Sequence, residues 1–549
     1  MLDFLLNRSS QSPEQRPAQR SIQLESEWWL HCYHAENAQG FQHISLNDNV
    51  QAFLFGIVWY QQQTAGSALK QLVTDLLNGV LDESQLRGSF HLIVSDKNSI
   101  RVLTDWLGSV ALYRAGDCIS SSFLLATTST QTKTINSQSL YEYVFQGTVY
   151  GTDTLLNEIV RLAPNCVHEV LTGQAWRRSE SFLTARVDDP FEVIHTELNT
   201  HFKEISEEFP NGVESALSAG FDSRLILAHL LSAGSACNLH VYGGEQDADV
   251  QVARQVAANL QVPLDHIDKT QAVTHLAESQ VVATNYLKFD GYPTDGIFDN
   301  GADLATRAHH MRDGRILLNG GGGEIFRNFF YLPPWASNVN DVLAAFYHQF
   351  DPAKVGSSFR YADYIAKLKA KVEAELSGSE LSGRQRLEAV YPLFRCRYWT
   401  SRNGAINSRL GFYLTPLVTP VTIGAALQLP IAEKNNGVFQ CRLICAAHNG
   451  AAALPFDYGY SAAQGPSLKH KLKGTLTCFR PGLLRKHSFA IKHRYASVDQ
   501  LQINRSRFEP HIDIQLPYMA RYFDVHQIKS AAQMERIATA EYLFQQLNV

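Results

Sequence analysis

The chain of 549 residues is too long for one ordinary hydrophobic core, so we expect two or three domains. It is 45% hydrophobic and 18% charged, which is typical of globular proteins and excludes a disordered or coiled-coil chain. A net charge of −5 without any long basic block argues against a dedicated nucleic-acid-binding protein.

The N-terminus and the cysteines bear on the location of the protein. Residues 1–20 contain one short apolar stretch and then turn polar, so we predict a flexible N-terminus and no signal peptide. The longer apolar runs are interrupted by polar residues and proline, and none reaches the ~20 residues that a membrane span needs. The eight cysteines are scattered and include no CxxC pair. The sequence therefore predicts a reduced, cytoplasmic protein without a membrane span.

Residues 21–180 are predicted to form an α+β domain dominated by a sheet. Short apolar runs such as QAFLFGIVWY (51–60) and SFHLIVSD (89–96) are bounded by turn residues, as strands are. One helix is predicted over 67–81 from its apolar spacing. Residues 176–192 are polar and irregular, and we predict that they form a linker.

From residue 193 strands and helices alternate. A helix over 193–209 precedes a strand at 213–217 and a helix at 224–233, and the strand at 238–244 is followed by another helix over 248–260. This alternation predicts a doubly wound parallel sheet, because parallel neighbours need helical crossovers. Beyond about residue 335 the sequence is mostly helical. We therefore predict an α/β domain over 193–549 with a helical C-terminal part.

A short loop, SAGFDS at 218–223, follows the first strand of this predicted sheet. Backbone amides at a helix N-terminus attract anions, and Ser218 and Ser223 add hydroxyl groups. Gly220 lets a phosphate approach the backbone, whereas Asp222 would repel it unless a metal such as Mg²⁺ lies between them. The alternative is an ordinary strand-to-helix turn. No GxxxxGK[ST] sequence occurs, so a Walker A loop is excluded.

A second loop, NGGGGE at 319–324, follows another predicted strand. Four glycines are entropically costly, so such a loop permits a close backbone approach to another group. Glu324 ends the loop with a carboxylate, as Asp222 does in the first loop. Two such turns at neighbouring strand ends predict a site for Mg²⁺ and a nucleoside triphosphate. A flexible linker is the alternative for this loop.

These loops resemble those of the asparagine synthetase and β-lactam synthetase family. LSAGFDSR (217–224) is similar to its SGGxDS pyrophosphate loop, with Ala219 in place of one glycine. NGGGGEIF (319–326) is similar to its SGxGxD loop, with Glu324 in place of Asp. The stretch over 88–114 resembles the amidotransferase domain of the same family.

The resemblance implies a fold and a reaction. It implies an N-terminal Ntn-hydrolase-like sheet domain and a C-terminal domain of the adenine nucleotide α-hydrolase-like type. It further implies that a carboxylate attacks ATP, that AMP and pyrophosphate are released, and that an amine or ammonia completes an amide bond. The cofactors would be ATP and Mg²⁺, and the carboxylate could belong to a small molecule or a peptide.

The resemblance also assigns roles to single residues. The expected ATP- or pyrophosphate-binding residues are Leu217, Ser218, Gly220, Asp222, Ser223, Tyr242, Asn319 and Gly320. The expected metal ligands are Asp222 and Glu324. A lysine of the family stabilises the transition state of adenylation, and among Lys469, Lys471 and Lys473 of SLKHKLKG we favour Lys469 as the catalytic one. A solvated basic face is the alternative for these lysines.

Two departures from the family affect the predicted activity. Glutamine-using members begin with Met-Cys, whereas this chain begins with Met1-Leu2, and leucine cannot act as a nucleophile. We therefore expect no glutaminase activity, unless a leader were removed to expose Cys32. Gly321 stands where relatives carry a side chain near the acyl acceptor, which leaves the substrate open.

Three hypotheses follow. The first is a ligase that forms C–N bonds from ammonia or an amine, with a possible homodimer as its assembly. The second is a catalytically degenerate paralogue that binds a nucleotide or a partner. The third, a sulfur- or tRNA-modifying enzyme, is disfavoured by the missing cysteine pair and basic surface. His309, His310 and the aromatic stretch FRNFFYLPPW (326–335) are further candidates for lining a pocket.

Overall fold

The computed structural model of the protein describes residues 3–13, 16–25, 27–33, 40–271, 278–347, 355–480, 507–528 and 530–549. Within these ranges, residues 3–177 supply two antiparallel sheets. Their strands are β1 Asp3–Asn7, β2 Arg20–Gln23, β3 Trp29–Tyr33, β4 Phe41–Asn47, β5 Val50–Tyr60, β6 Gln63–Thr64, β7 Leu86–Asp96, β8 Ser99–Thr104, β9 Tyr113–Ala115, β10 Cys118–Ser120, β11 Val160–Arg161, β12 Cys166–Glu169 and β13 Ala175–Arg177. The first sheet has the order β11-β9-β10-β1-β3-β2 and the second β13-β12-β8-β7-β5-β4, with β6 paired to β5.

Alternation along β5 explains how the two sheets stack. Phe53 and Phe55 point to one side, where they pack against Phe4 and Leu30 of the first sheet. Ala52 and its alternate neighbours point to the other side, against the helix over 65–78. Since successive side chains of a strand face opposite ways, one apolar strand joins two hydrophobic layers.

The third sheet is parallel. Its strands are β14 Val213–Ala216, β15 Cys237–Tyr242, β16 Leu264–Ile267, β17 Ile316–Leu318 and β18 Phe412–Leu414. Their order across the sheet is β16-β15-β14-β17-β18, and every neighbouring pair is parallel. The chain therefore winds first to one side of β14 and then to the other, as in doubly wound folds. The predicted parallel α/β sheet is confirmed.

Helices cover the sheets and make up most of the C-terminal part. The described α-helices are α1 Ala65–Asn78, α2 Phe123–Ala126, α3 Ser137–Gln146, α4 Pro190–Glu208, α5 Phe221–Ser232, α6 Ala248–Leu260, α7 Glu278–Lys288, α8 Ala302–His310, α9 Val339–Val342, α10 Tyr361–Leu376, α11 Gly383–Val390, α12 Ser401–Ser408, α13 Pro420–Ala426, α14 Ile431–Lys434, α15 Val438–Ala447, α16 Asn449–Ala453, α17 Leu468–Phe479 and α18 Ala531–Leu547. Segments of π-helix follow α9 and α11, at Leu343–Tyr347 and Tyr391–Thr400. The predicted helices over 67–81, 193–209 and 248–260 correspond to α1, α4 and α6.

Two predictions about the N-terminal half are wrong. Residues 1–20 were expected to be flexible, but Asp3–Asn7 forms a buried strand between β10 and β3, because Phe4, Leu5 and Leu6 supply apolar side chains to both faces of the sheet. Residues 176–192 were expected to form a linker, but α4 already begins at Pro190.

Within that supposed linker, Phe182 and Leu183 are buried in the same core as Trp106 and Leu198. The ring of Phe182 meets that of Trp106 edge-on, with centroids 4.8 Å apart. The hydrophobic core is thus continuous across residues 180–193, so the domain boundaries proposed from sequence remain predictions. None of the helices in the described ranges has the length and apolar content to cross a bilayer.

Candidate functional site

The order of the parallel strands defines one special edge of the third sheet. The chain leaves β14 towards β15 on one side, whereas β17 lies on the other side. Loops that leave two such adjacent strands diverge and open a crevice at the carboxyl ends, where doubly wound proteins bind ligands. The first loop (218–223) leaves β14 and the second loop (319–324) leaves β17. The two loops chosen from sequence therefore flank the switch point of the sheet.

Hydrogen bonds within the first loop use both of its serines. The amide of Ser218 donates to Oγ of Ser223 at 3.0 Å, and the two Oγ atoms are also 3.0 Å apart. The amide of Gly220 donates to Oγ of Ser218 at 3.2 Å. The amide of Ala219 donates to Oδ1 of Asp249 at 2.7 Å. The hydroxyl groups predicted to meet a phosphate thus also shape the turn that begins α5.

The glycines of the second loop allow a close approach, and the approaching groups belong to the protein. A Cβ on Gly320 would lie 3.3 Å from Cβ of Asp222, and one on Gly323 would lie 2.3 Å from Oδ1 of the same residue. Gly322 has φ +99°, and its Cβ would lie 2.0 Å from Cγ2 of Val418. Since side chains do not fit at 322 and 323, these glycines let the second loop pack onto Val418 and onto the first loop.

The two predicted metal ligands converge on one point, and the guanidinium of Arg327 occupies it. Nη2 of Arg327 lies 3.0 Å from Oδ2 of Asp222 and 3.0 Å from Oε1 of Glu324. Gln440 on α15 donates to the other oxygen of Asp222. Tyr391 donates to Oε2 of Glu324 at 2.5 Å. The cation between the two loops is thus part of the chain.

This arrangement does not fit a Mg²⁺ ion between the carboxylates. A metal ligand needs an oxygen lone pair aimed at the ion, but the oxygens of both groups already accept bonds from protein donors. The site therefore holds a divalent cation at Asp222 and Glu324 only if Arg327 moves away.

The pKa values of the two carboxyl groups shift in opposite directions, although burial acts to raise both. It raises the pKa of Asp222 to about 6, with Glu324 adding to the rise and Arg327 opposing it. Burial would also raise the pKa of Glu324, but the charge of Arg327 and the hydroxyl of Tyr391 bring it below its ordinary value. The same two carboxylates raise the pKa of Arg327 above its ordinary value against the effect of burial. Glu324 is thus the better stabilised anion of the pair.

The residues expected near the nucleoside lie close to the strand ends, and most of them already contact other groups of the protein. Leu217 is buried, and its amide donates to the carbonyl of His240 at 2.8 Å. Asn319 donates to Tyr413 and accepts from the amide of Gly321 at 2.7 Å. The ring of Tyr242 lies 4.3 Å from Nζ of Lys269. These positions leave the nucleoside assignment a prediction.

A cleft of about 610 Å³ opens beside Arg327 and contains the predicted catalytic lysine. Lys469 and Lys473, four residues apart on α17, both line it, together with Phe221 at the start of α5. Arg327 and Lys434 line the same cleft, so four lysine and arginine side chains share it. In the part of the chain that the structure describes, its lining does not include Lys471, Leu217, Tyr242 or Asn319.

The histidine candidates lie elsewhere. His310 is buried, and its ring stacks on that of His240 with centroids 3.8 Å apart and planes at 17°. Glu214 lies beside them and completes a buried group of potential metal ligands. The two ring planes are nearly parallel and do not converge on one point, which favours a buried polar cluster formed by β14, β15 and α8. Of the aromatic stretch, Arg327, Asn328 and Tyr331 do line the cleft.

Cys32, the alternative nucleophile, lies inside a sheet. It is buried in β3 and pairs with Phe4 of β1. Burial raises the pKa of its thiol to about 12, so the reactive thiolate is scarce at neutral pH. All eight cysteines are described and free. Met1 and Leu2 lie outside the described residues.

Sequence reasoning named Arg327 only as part of the stretch 326–335 and not as the partner of the two carboxylates, and it did not identify Gln440 or Tyr391. One local signal was present for Arg327, because it directly follows the short helical turn Gly323–Phe326 that contains Glu324, three residues earlier, and residues at this spacing can meet. Gln440 and Tyr391 come from distant helical segments, and nothing in their local sequence marks them.

Comparisons with known proteins add little to this geometry. No protein-family model and no curated protein matches the chain. Among solved structures, the chain is similar to a glutamine phosphoribosylpyrophosphate amidotransferase from B. subtilis complexed with ADP and GMP, at 10% identity over 58% of this chain and 69% of that one. The TM-score is 0.19, a likeness too slight to bear on fold or function.

Proposed function

We propose that this protein is an ATP-dependent ligase of the asparagine synthetase type that forms an amide bond. A carboxylate oxygen of the acid attacks the α-phosphorus of ATP, the bond to the β-phosphate breaks, and pyrophosphate leaves. The nitrogen of ammonia or an amine then attacks the acyl-adenylate, AMP leaves and the nitrogen loses a proton. The acid is a small-molecule or peptide carboxylate, and the reaction takes place in the cytoplasm.

One observation carries the proposal. Two glycine-bearing loops, each with a carboxylate, meet at the switch point of a parallel sheet, with Gly320 of one against Asp222 of the other. The N-terminus of α5 lies there, and its dipole favours a phosphate. The cationic cleft beside it supplies Lys469 as the proposed catalytic group, which would offset charge that develops during adenylation.

Mg²⁺ belongs to this proposal as the ion that accompanies ATP, since Mg²⁺ commonly binds through substrate phosphates. The side chains of the protein would orient the acid and the phosphates so that the reacting atoms are held together. The nitrogen comes from ammonia or an amine, because Cys32 is held as a buried thiol.

The test is exchange of labelled pyrophosphate into ATP with a panel of carboxylic acids and with cell extract. We expect exchange with at least one acid, a loss of about 100-fold or more in Lys469→Ala, and no change in Glu207→Gln, an exposed carboxylate of α4. Nitrogen use is then measured with ammonium and with glutamine, and only ammonium or an amine is expected to yield product. Absence of exchange with every acid and with extract would refute the ligase.

One observation favours a second candidate, a catalytically degenerate paralogue that binds a nucleotide or a partner. Arg327 occupies the point where the family places a metal, and a protein that has lost turnover can tolerate this. Such a protein would bind ATP in a calorimeter but release no pyrophosphate with any acid. The exchange measurement therefore distinguishes the two candidates.

A further inference from the structure

The guanidinium of Arg327 and the carboxylates around it form a closed ionic cluster. Each of the four carboxylate oxygens of Asp222 and Glu324 has a donor from the protein: Gln440 and Arg327 for the first group, and Arg327, Tyr391 and the amide of Gly322 for the second. A guanidinium presents planar donors that match two carboxylates at once. Every carboxylate oxygen of the cluster is therefore bonded by a protein donor without an ion.

The packing around the cluster keeps the first carboxylate where it is. A Cβ added to Gly323 would lie 2.3 Å from Oδ1 of Asp222, so the backbone of the second loop packs closely against that oxygen. Gln440 bonds both that oxygen and the carbonyl of Gly323 at 3.1 Å, which ties α15 to both loops. Rotation of Asp222 towards an incoming ion would break contacts on two sides.

We propose that Arg327 takes the place of a divalent cation between Asp222 and Glu324, so that the protein binds no Mg²⁺ or Mn²⁺ there on its own. Arg327 also lines the cleft, and among the described residues its Nε is buried without a hydrogen-bond partner. One cation of the chain thus joins the two loops at the edge of the cleft. The inference does not depend on the proposed ligase activity, because it is tested without nucleotide.

The test is a titration of the full chain with Mn²⁺, followed by electron paramagnetic resonance. We expect no Mn²⁺ site tighter than about 1 mM in the unaltered protein, and affinity at least about tenfold tighter in Arg327→Met, since two carboxylates then lack their cation. The double variant Asp222→Asn/Arg327→Met should lose the gain.

Arg384→Met is the matched control. Arg384 is similarly buried and also pairs with a carboxylate, Glu388, which keeps a second partner in Lys434 when Arg384 is removed. We therefore expect no new Mn²⁺ site in that variant.

Two results would overturn the inference. One is a Mn²⁺ site in the unaltered protein that Asp222→Asn removes, because the carboxylates would then be free for metal in solution; this result needs no Arg327 variant to fold. The other is an Arg327→Met protein with unchanged circular dichroism and unchanged Mn²⁺ affinity.

Discussion

The two loops at the switch point hold their shapes by different means. The first loop, 218–223, is held by hydroxyl and carboxylate acceptors, with Ser218, Ser223 and Asp249 bonding its amides. The second loop, 319–324, also has amides bonded by its own side chains, but it is in addition packed so closely that Cβ atoms at 322 and 323 would collide with Val418 and Asp222. The first loop is thus held mainly by polar bonds, and the second by polar bonds together with close packing.

The difference determines which substitutions each loop tolerates. A hydrogen bond between a hydroxyl and an amide contributes about 0.5–1.5 kcal/mol, so its loss costs little. An added side chain that clashes in a packed region costs more free energy of unfolding, and so does a non-glycine residue with a left-handed backbone. We therefore expect the second loop to be the less tolerant of substitution.

The largest effect is expected from alanine at Gly322, compared with alanine at Gly220. Gly322→Ala introduces a Cβ 2.0 Å from Val418 at φ +99°, and should lower the free energy of unfolding by about 2–5 kcal/mol. Gly220 has φ −90°, and its Cβ would meet only Oγ of Ser218 at 3.4 Å, so Gly220→Ala should cost less than about 1 kcal/mol. Urea denaturation of both variants measures the difference. Equal costs would contradict the comparison.

A smaller effect is expected from the polar anchors of the loops. Tyr391→Phe removes the donor to Glu324 in a buried place and should cost about 1.5–3 kcal/mol, because the acceptor is charged. Ser223→Ala removes neutral bonds of the first loop and should cost about 0.5–1.5 kcal/mol. Both are measured by urea denaturation at neutral pH. A larger loss of unfolding free energy in Ser223→Ala would contradict this ranking. The serine bonds of the first loop would then stabilise the site more than the bond from Tyr391 to Glu324 does.

The sequence predicted the parallel sheet and both loops because their signals are local. Alternating apolar strands and helices from residue 193 gave β14, α5, β15 and α6 within a few residues. The glycines of 320–323 marked a close approach, and the structure has one. What approaches them could not be predicted, since Val418 lies almost a hundred residues further along the chain.

The errors have the same origin. Residues 3–7 and 182–183 are short apolar groups in polar surroundings, so local composition suggested flexible segments. Partners far along the chain bury them: Leu30 and Ile119 near Phe4, and Trp106 near Phe182. The cation at the site was missed for a related reason. Two carboxylates in sequence suggested a metal, but only the packed structure places Arg327 between them.

The smallest effect is expected from Gly321→Ala. Gly321 lies outside the left-handed region, and its Cβ would lie 3.3 Å from Oδ1 of Asn319 and 3.3 Å from Cγ2 of Thr400. A slight shift of either neighbour accommodates a methyl group, so the cost should stay below about 1 kcal/mol in urea denaturation. A cost near that of Gly322→Ala would mean that packing fixes the whole second loop.

If the substitution is tolerated, the fold does not require a bare glycine at 321. A loss of pyrophosphate exchange in this stable variant would then place a substrate, either the acid or ATP, beside Gly321, because a bound ligand would compete with the added methyl group for that space.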